Sequence, residues 1–316
     1  MAASIPNVTF NNGYNVPGVG LGCWMGQQGA AEETYAMVRT ALQLGYRHFD
    51  TAFGYGNEEA VGRAIRESGI PRSEIFVTTK LTNSHHASVA QGFDMSFKNL
   101  NIEYIDLYLM HWPNASDDKG SPIPYGKSPT FVETWKDMEK LLGTGKVRSL
   151  GVSNFSIKIF EELLPHATVI PVTNQVECNV YYPQHKLQEY CKSKGITITA
   201  YGPLGQYQNT FLTDPEVVKV AEKNKVTTAQ IAISWLVQRG IIPVPKSSNA
   251  ERLKQNITLL TLSKEDFDTI DNLHKQPGKH RSLDRFTNRV HGSIAGWTME
   301  QMGWKVGKDG YIEGDD

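Results

Sequence analysis

Short apolar runs alternate along the chain with longer stretches in which apolar residues recur three and four positions apart. Turn residues bound the short runs, and this alternation is typical of repeated strand–helix units rather than of a sandwich or a helical bundle. Eight runs are predicted strands, at residues 18–22, 46–49, 75–80, 105–111, 149–152, 172–176, 196–200 and 241–244. Predicted helices include residues 32–43, 58–67, 131–142 and 229–239. The pattern predicts an α/β fold, a single (β/α)8 barrel of the TIM type.

Three segments lie outside this alternation. Residues 8–16 place Asn12-Gly13 between two short runs, which is typical of a β-hairpin, and we expect this hairpin to close the barrel floor. Residues 113–129 are rich in Pro, Gly, Asp and Ser, and residues 277–316 form a C-terminal loop and tail. Long irregular segments of compact domains are often functional, so we expect long loops at the carboxyl face of the barrel.

Composition narrows the function classes further. The chain has 316 residues with 40% hydrophobic content, which suits one barrel domain over residues 1–316. A formal net charge of −1 leaves no broad basic field for nucleic acid or an anionic membrane surface. Three cysteines at irregular spacing, with no signal peptide or membrane-spanning run, favour a cytoplasmic protein without disulfides or zinc. No metal site and no obligate protein partner is evident.

Polar and aromatic side chains follow every predicted strand. In a parallel barrel the chemistry lies at the carboxyl ends of the strands, so these positions are the first candidates for an active site. One of them alone would be an ordinary strand-end polar group, but all eight strand ends carry such residues. They are Cys23, Trp24, Asp50, Lys80, His111, Trp112, Ser153, Asn154, Gln175, Tyr201, Lys246 and Ser247.

Several motifs, in order along nearly the whole chain, carry a resemblance to a known family. The first is Gly45-Tyr-Arg-His-Phe-Asp-Thr-Ala-Phe-Gly-Tyr-Gly-Asn-Glu-Glu-Ala-Val-Gly62, and four more stand at residues 150–155, 174–177, 200–205 and 242–248. With these motifs the chain resembles the aldo-keto reductase superfamily, and within it the fungal aldehyde reductases and NADP-linked glycerol dehydrogenases. The resemblance implies a barrel enzyme that reduces carbonyl groups with NADPH and can oxidise alcohols or polyols with NADP+.

The resemblance also implies a catalytic tetrad of Asp50, Tyr55, Lys80 and His111. A hydride that reaches a carbonyl carbon leaves charge on the oxygen, which needs hydrogen-bond donors and finally a proton. Tyr55 is expected to supply the proton, and His111 to orient the carbonyl. A lysine ammonium lowers the pKa of a nearby phenol, so Lys80, paired with Asp50, is expected to activate Tyr55. Relatives that reduce carbon–carbon double bonds replace the histidine with glutamate, so His111 favours carbonyl chemistry.

No Gly-x-Gly-x-x-Gly motif follows a strand, so a Rossmann-type turn does not hold the dinucleotide. The resemblance instead implies that Ser153, Asn154 and Gln175 bind the nicotinamide carboxamide and that Tyr201 stacks on its ring. Trp24 is expected beside the cofactor. A loop formed by Gly202, Pro203, Leu204 and Gly205 is expected over the pyrophosphate, with Gly202 at a position where relatives often carry serine.

Lys246, Ser247, Ser248 and Arg252 make a compact predicted site for the 2′-phosphate of NADPH, since cations and hydroxyls can converge there on one anion. The resemblance places Asn256 at the adenine and Gln255 where glutamate is common. An alternative interpretation is that Ser247, Ser248 or Asn249 caps the following helix while the cations are solvated.

The predicted substrate is a small carbonyl compound or alcohol, in a pocket walled by Trp24, Phe53, His111 and Trp112. Two other functions stay open: a non-catalytic nicotinamide-binding sensor or regulatory subunit on the same barrel, and a phosphate-handling isomerase. The isomerase would need a suitable glutamate base after the sixth strand, a feature that we expect to be missing. The adjacent His85 and His86 lack a further ligand at metal-like spacing and are expected on the solvated surface.

Overall fold

The computed structural model describes residues 5–206, 210–283, 293–308 and 310–312. A two-stranded antiparallel hairpin of β1 (Asn7–Thr9) and β2 (Asn15–Pro17) precedes an eight-stranded parallel sheet whose spatial order is its chain order. This confirms the predicted fold class. The sheet strands are β3 (Leu21–Gly22), β4 (His48–Asp50), β5 (Phe76–Leu81), β6 (Ile105–Met110), β7 (Val147–Ser153), β8 (Thr173–Glu177), β9 (Thr197–Tyr201) and β10 (Ile242–Pro243).

The first and last segments of the sheet close it into a barrel. Gly20 N–H donates to the carbonyl oxygen of Pro243 over 3.0 Å, and Gly22 N–H donates to that of Pro245 over 3.1 Å. Strand β10 is shorter than the predicted 241–244 run because Pro243 and Pro245 have no N–H with which to extend a ladder. Closure brings all eight strand ends to one rim.

Helices follow the strands on the outside, and their apolar faces pack on the barrel as their periodicity predicts. The predicted helix at 131–142 begins at a capping box formed by Thr130 and Glu133, and its last turn is a 3-10 helix, Leu141–Thr144. The α-helices before the C-terminal tail are α1 (Ala31–Leu44), α2 (Glu58–Arg66), α3 (Val89–Leu100), α4 (Phe131–Lys140), α5 (Ile157–Leu163), α6 (His185–Ser193), α7 (Pro215–Asn224), α8 (Thr228–Gln238), α9 (Ala250–Asn256) and α10 (Lys264–Asp271).

The hairpin closes the barrel floor, as predicted. Phe10 and Val16 are buried in one apolar cluster with Phe76, Leu107 and Ile242, which come from three barrel strands. The ring of Phe10 meets that of Phe76 edge to face, with 6.1 Å between centroids. The apolar floor leaves the polar strand ends at the opposite rim.

The two irregular segments pack against each other at that rim. The tail contributes β11 (Ser293–Ile294), β12 (Trp297–Thr298) and α11 (Met299–Met302). Buried Asn114 donates from Nδ2 to the carbonyl oxygens of Ile294 (2.8 Å) and Ala295 (3.1 Å), and Trp297 Nε1 donates to Ile123 O (2.8 Å). Among the described helices, none combines the length and apolar character that crossing a bilayer demands.

Candidate active site

The four residues of the expected tetrad meet at the carboxyl rim of the barrel. Asp50 ends β4, Lys80 lies in β5, His111 follows β6, and Tyr55 sits in a 3-10 turn, Phe53–Tyr55, directly after β4. The fully buried Lys80 donates from Nζ to Asp50 Oδ1 (2.6 Å) and Thr51 O (2.8 Å), and lies 3.4 Å from the Tyr55 hydroxyl. The sheet therefore holds an ammonium group beside a phenol.

Burial dominates the electrostatics of this group. It raises the pKa of Tyr55 above its usual value, and the Lys80 ammonium opposes the shift without cancelling it. The expected net lowering of the Tyr55 pKa is therefore wrong in direction, although Lys80 acts with the expected sign. Burial disfavours the charge of Lys80, but Asp50 and Tyr55 outweigh it and raise the Lys80 pKa overall. The structure thus pairs a protonated phenol with a charged lysine.

His111 is held as a neutral imidazole. Burial, and secondarily the charge of Lys80, lowers its pKa to about 3. Its ring centroid lies 5.9 Å from that of Tyr55, at an interplanar angle of 75°. A neutral imidazole can donate one hydrogen bond without carrying charge, which suits the orientation of a polar oxygen beside Tyr55.

Gln175 contacts the tetrad through Asp50. Its Nε2 donates to Asp50 Oδ2 over 2.6 Å, so the two carboxylate oxygens are shared between Lys80 and Gln175. Ser153 Oγ donates to the backbone oxygen of Gln175 over 2.7 Å. The resemblance implies that both residues lie at the nicotinamide, and the structure shows in addition that Gln175 orients the tetrad carboxylate.

Asn154 joins the tetrad to the next strand ends. Its backbone lies in the left-handed region, with φ of 65°, which asparagine tolerates better than most residues. Asn154 Nδ2 donates to the backbone oxygen of His111 (3.0 Å), and the Tyr201 hydroxyl donates to Asn154 Oδ1 (3.0 Å). The His111 backbone after β6, the Asn154 side chain after β7 and the Tyr201 side chain at the end of β9 are therefore joined by hydrogen bonds.

A cavity of about 660 Å³ opens beside Asp50 and Tyr55. Most of the expected cofactor residues line it: Trp24, Tyr201, Gly202, Pro203, Leu204, Lys246, Ser247, Ser248, Arg252, Gln255 and Asn256. Ser153, Asn154, Gln175 and Gly205 do not. Other lining residues were not predicted from the sequence, among them Met25, Gln206, Leu212 and Thr227–Ala229. The cavity thus joins the tetrad to the predicted phosphate site.

The cavity walls carry polar and positively charged groups that suit a dinucleotide. Asn256 is buried, and its Nδ2 has no hydrogen-bond partner among the described residues, so a polar group of a ligand can satisfy it. Lys246 and Arg252 bring positive charge to the same wall. Asn249 caps α9 by accepting from Arg252 N–H (3.0 Å), and Ser247 Oγ accepts from Asn249 N–H (3.2 Å). The capping interpretation is therefore correct for Asn249, and it leaves both cationic side chains available.

The expected substrate walls are not all in one place. Trp24 lines the main cavity, with its ring centroid 5.1 Å from that of Tyr55. Phe53 instead lines a separate opening of about 480 Å³ together with Gly54 and Thr82. Trp112 meets Trp304 of the tail, with 6.2 Å between ring centroids. The structure therefore adds the tail to the set of elements around the site.

The expectation that His85 and His86 lie on the solvated surface is corrected. His86 is buried rather than solvated, neither ring nitrogen has a partner among the described residues, and burial lowers its pKa to about 3. His85 is partly buried, with its ring against that of Phe53. Glu177 ends the sixth barrel strand, and its carboxyl group accepts hydrogen bonds from Ser282 and Leu283. Its carboxylate does not line the main cavity, however.

Comparison with known proteins identifies the family. The model of the aldo/keto reductase family matches residues 18–275. The chain belongs to this family. Among curated relatives of this aldo/keto reductase, glycerol 2-dehydrogenase (NADP(+)) of Saccharomyces cerevisiae is 42% identical over 291 residues, covering 87% of this chain and 92% of that protein. Aldehyde reductase YPR1 of the same yeast is 40% identical over 305 residues, with 90% and 97% covered.

A solved structure agrees with this placement. An aldo-keto reductase of Bombyx mori, determined in complex with NADP, superimposes with a TM-score of 0.82 at 35% identity, covering 91% of this chain and 97% of that one. The predicted resemblance and the predicted barrel are both confirmed. The described residues of the reductase hold no group of three or more His, Cys, Asp or Glu suited to a metal ion.

Proposed function

We propose that this aldo/keto reductase reduces aldehyde and ketone carbonyls to alcohols with NADPH, and can run the reverse oxidation of an alcohol or polyol with NADP+. The observation that carries the proposal is the contact of Lys80 with both Asp50 and Tyr55 at the edge of a cavity that Lys246 and Arg252 also line. One site thus combines a proton donor with charge suited to a phosphorylated dinucleotide. The NADP in the names of the relatives supports the choice of cofactor.

The tetrad residues take distinct roles in this proposal. NADPH, when bound, supplies the hydride. Tyr55 donates its proton to the carbonyl oxygen, and the Lys80 ammonium stabilises the phenolate that remains. Neutral His111 donates a hydrogen bond that orients the same oxygen. Asp50 holds Lys80 charged and in position.

The other cavity residues hold the cofactor. Lys246, Ser247 and Arg252 would bind the 2′-phosphate with Ser248 beside them, and Asn256 would satisfy its buried amide on the adenine, next to Gln255. Trp24, Tyr201 and the turn at residues 202–205 would flank the middle of the dinucleotide, and Ser153, Asn154 and Gln175 would position its nicotinamide.

The substrate is a small carbonyl compound in this proposal, polar or compactly aromatic. Trp24 and His111 would contact it beside Tyr55. Phe53 lines the separate opening with Gly54 and Thr82, and Trp112 packs against Trp304, so these two would contact a substrate that extends beyond the tetrad. Apolar walls discriminate by only about 1–3 kcal/mol per methylene, so we expect little selectivity among small aldehydes. The three cysteines are buried and form no disulfide with one another, which suits the reducing cytoplasm that we propose for this protein.

The deciding experiment is a nicotinamide absorbance assay on the purified chain with NADPH and NADH, across aldehydes, sugars, uronic acids and glycerol. We expect turnover of simple aldehydes with a strong preference for NADPH. Tight NADPH binding without turnover of any carbonyl would instead identify a sensor or regulatory subunit. Isomerisation of a sugar phosphate without any nicotinamide would contradict both.

A further inference from the structure

Glu177 holds the C-terminal segment against the barrel rim. It is the last residue of β8, two positions after Gln175, and its side chain is buried. The carboxylate accepts hydrogen bonds from Ser282 Oγ (2.5 Å), the backbone N–H of Leu283 (2.8 Å) and Asn179 Nδ2 (3.2 Å). A buried carboxyl group that accepts hydrogen bonds at both oxygens holds its donors in place, so this contact fixes Ser282 and Leu283.

Residues 279–283, which end at Leu283, are here called the strap. Lys279 forms an ion pair with the buried Asp214, the cap of α7. Arg281 N–H donates to Tyr181 O (3.1 Å), and Ser282 N–H donates to Ile312 O (3.2 Å). Glu177 accepts hydrogen bonds from Ser282 and Leu283, the last two residues of the strap.

Leu283 packs on the turn that lines the cavity. Gly202 has φ of +59°, and a Cβ built on it would stand 3.0 Å from Leu283 Cδ1. Gly205 N–H donates to Gly202 O over 3.0 Å and closes the turn, while Gly202, Pro203 and Leu204 line the cavity. Leu283 therefore occupies space that a side chain at position 202 would need.

We propose that Glu177 is a positioning residue for the nicotinamide cofactor. By holding the strap it keeps Leu283 on the turn at residues 202–205, and the braced turn slows the release of NADPH. Glu177 acts through Leu283 and Gly202, since it does not line the cavity itself. The inference rests on the proposed function, because it needs a dinucleotide in that cavity.

The test measures NADPH release directly. Stopped-flow displacement gives the dissociation rate constant, and fluorescence titration gives Kd, for the wild type, Glu177→Gln, Leu283→Ala and the double variant. We expect each single variant to release NADPH about 10-fold faster, the scale expected for the loss of one well-formed hydrogen bond. The KM for NADPH should rise while the KM for a simple aldehyde stays unchanged. The double variant should release NADPH at the same rate as either single variant, because Glu177 and Leu283 act on Gly202 through the same contacts.

Two matched controls distinguish the loss of the contact between Glu177 and the strap from a general loss of structure. Glu300→Gln changes an exposed tail carboxylate, and Leu142→Ala truncates a partly buried leucine that does not line the cavity. Both should release NADPH at the wild-type rate. If Glu177→Gln fails to fold, Ser282→Ala removes one donor of the same contact and should also speed release.

Two results would overturn the proposal. Folded Glu177→Gln and Leu283→Ala proteins with the wild-type release rate would remove Glu177 from cofactor binding. A lower urea midpoint with unchanged release and unchanged KM for NADPH would reduce Glu177 to a structural residue. Absence of NADPH binding in the wild type is a separate result, since it contradicts the proposed function itself.

Discussion

Gln175 donates a 2.6 Å hydrogen bond to Asp50 although the two residues stand 125 positions apart in the chain. Asp50 uses its other carboxylate oxygen for Lys80, so Gln175 sets the orientation of the carboxylate that holds the lysine. A residue expected at the cofactor thus also positions the tetrad. The two sites are coupled through one buried carboxylate.

Replacement of Gln175 tests this coupling. Gln175→Leu leaves one oxygen of buried Asp50 without its donor, which should lower the free energy of unfolding by about 1–3 kcal/mol. Urea denaturation followed by fluorescence measures the change, and kcat for a simple aldehyde should fall with it. Gln91→Leu, on the exposed face of α3, is the matched control and should leave both quantities unchanged. Wild-type stability of Gln175→Leu would show that Asp50 does not depend on this bond.

Tyr55→Phe tests the proton donor. The change removes the hydroxyl but little volume, so kcat should fall by about 10²–10⁴-fold while the Kd for NADPH stays nearly unchanged. Lys80→Met should act through the same step, so the double variant should be hardly slower than Tyr55→Phe alone. Single-turnover kinetics with a simple aldehyde measure the losses. Near-wild-type turnover of Tyr55→Phe would place the proton donor elsewhere.

Arg252 and Asn256 should differ in their effect on the two nicotinamide cofactors. Arg252→Ala removes a charged partner of the 2′-phosphate. The binding free energy of NADPH should weaken by about 1.5–3 kcal/mol, and that of NADH should not change. Asn256→Ala removes the buried amide proposed for the adenine, so NADPH and NADH should weaken alike. Fluorescence titration of both variants with both cofactors measures the difference. Equal weakening of NADPH and NADH by Arg252→Ala would remove Arg252 from the phosphate site.

The rate of carbonyl reduction should not change with pH near the usual pKa of histidine. The pKa of His111 is lowered to about 3 by burial and by Lys80, so His111 stays neutral through the neutral range. The pKa of Tyr55 is raised by burial against the pull of Lys80, so the phenol loses its proton only at alkaline pH. The value of kcat/KM for an aldehyde should be constant near neutral pH. It should fall only when the pH rises above the pKa of an ordinary phenol. A limb near the usual histidine pKa that disappears in His111→Gln would contradict this assignment.

Buried His86 should make the protein sensitive to acid. Its pKa in the folded protein is lowered to about 3 by burial, whereas an unfolded chain binds the proton near pH 6.5. Between these values the unfolded state binds more protons, so stability falls as pH falls. His86→Phe should reduce the pH slope of the unfolding free energy by about 1.4 kcal/mol per pH unit in that window. Urea unfolding at several pH values checks this, with the exposed His166→Phe as the unaffected control.

The chain by itself determined the architecture and most of the chemistry. Alternation of short apolar runs with helical periodicity is a local property, so it was enough to predict the eight strands and the barrel. The family resemblance that the motifs carry implied that Asp50, Tyr55, Lys80 and His111 meet at the strand ends. The order of the motifs along the chain also indicated the family that the comparisons confirmed.

Contacts between distant residues were decided only by the tertiary structure. Barrel closure brings Gln175 to Asp50 and the strap to Glu177, and no local pattern records pairs so far apart. Periodicity likewise did not show that His86 is buried while His85 beside it is only partly so, because the loop path sets which side chain faces inward. The opening beside Phe53 is likewise separate from the cavity of Tyr55, although only Gly54 stands between these two residues in the chain. Side-chain partners across a barrel depend on its curvature and closure, and these exist only once all the strands are paired.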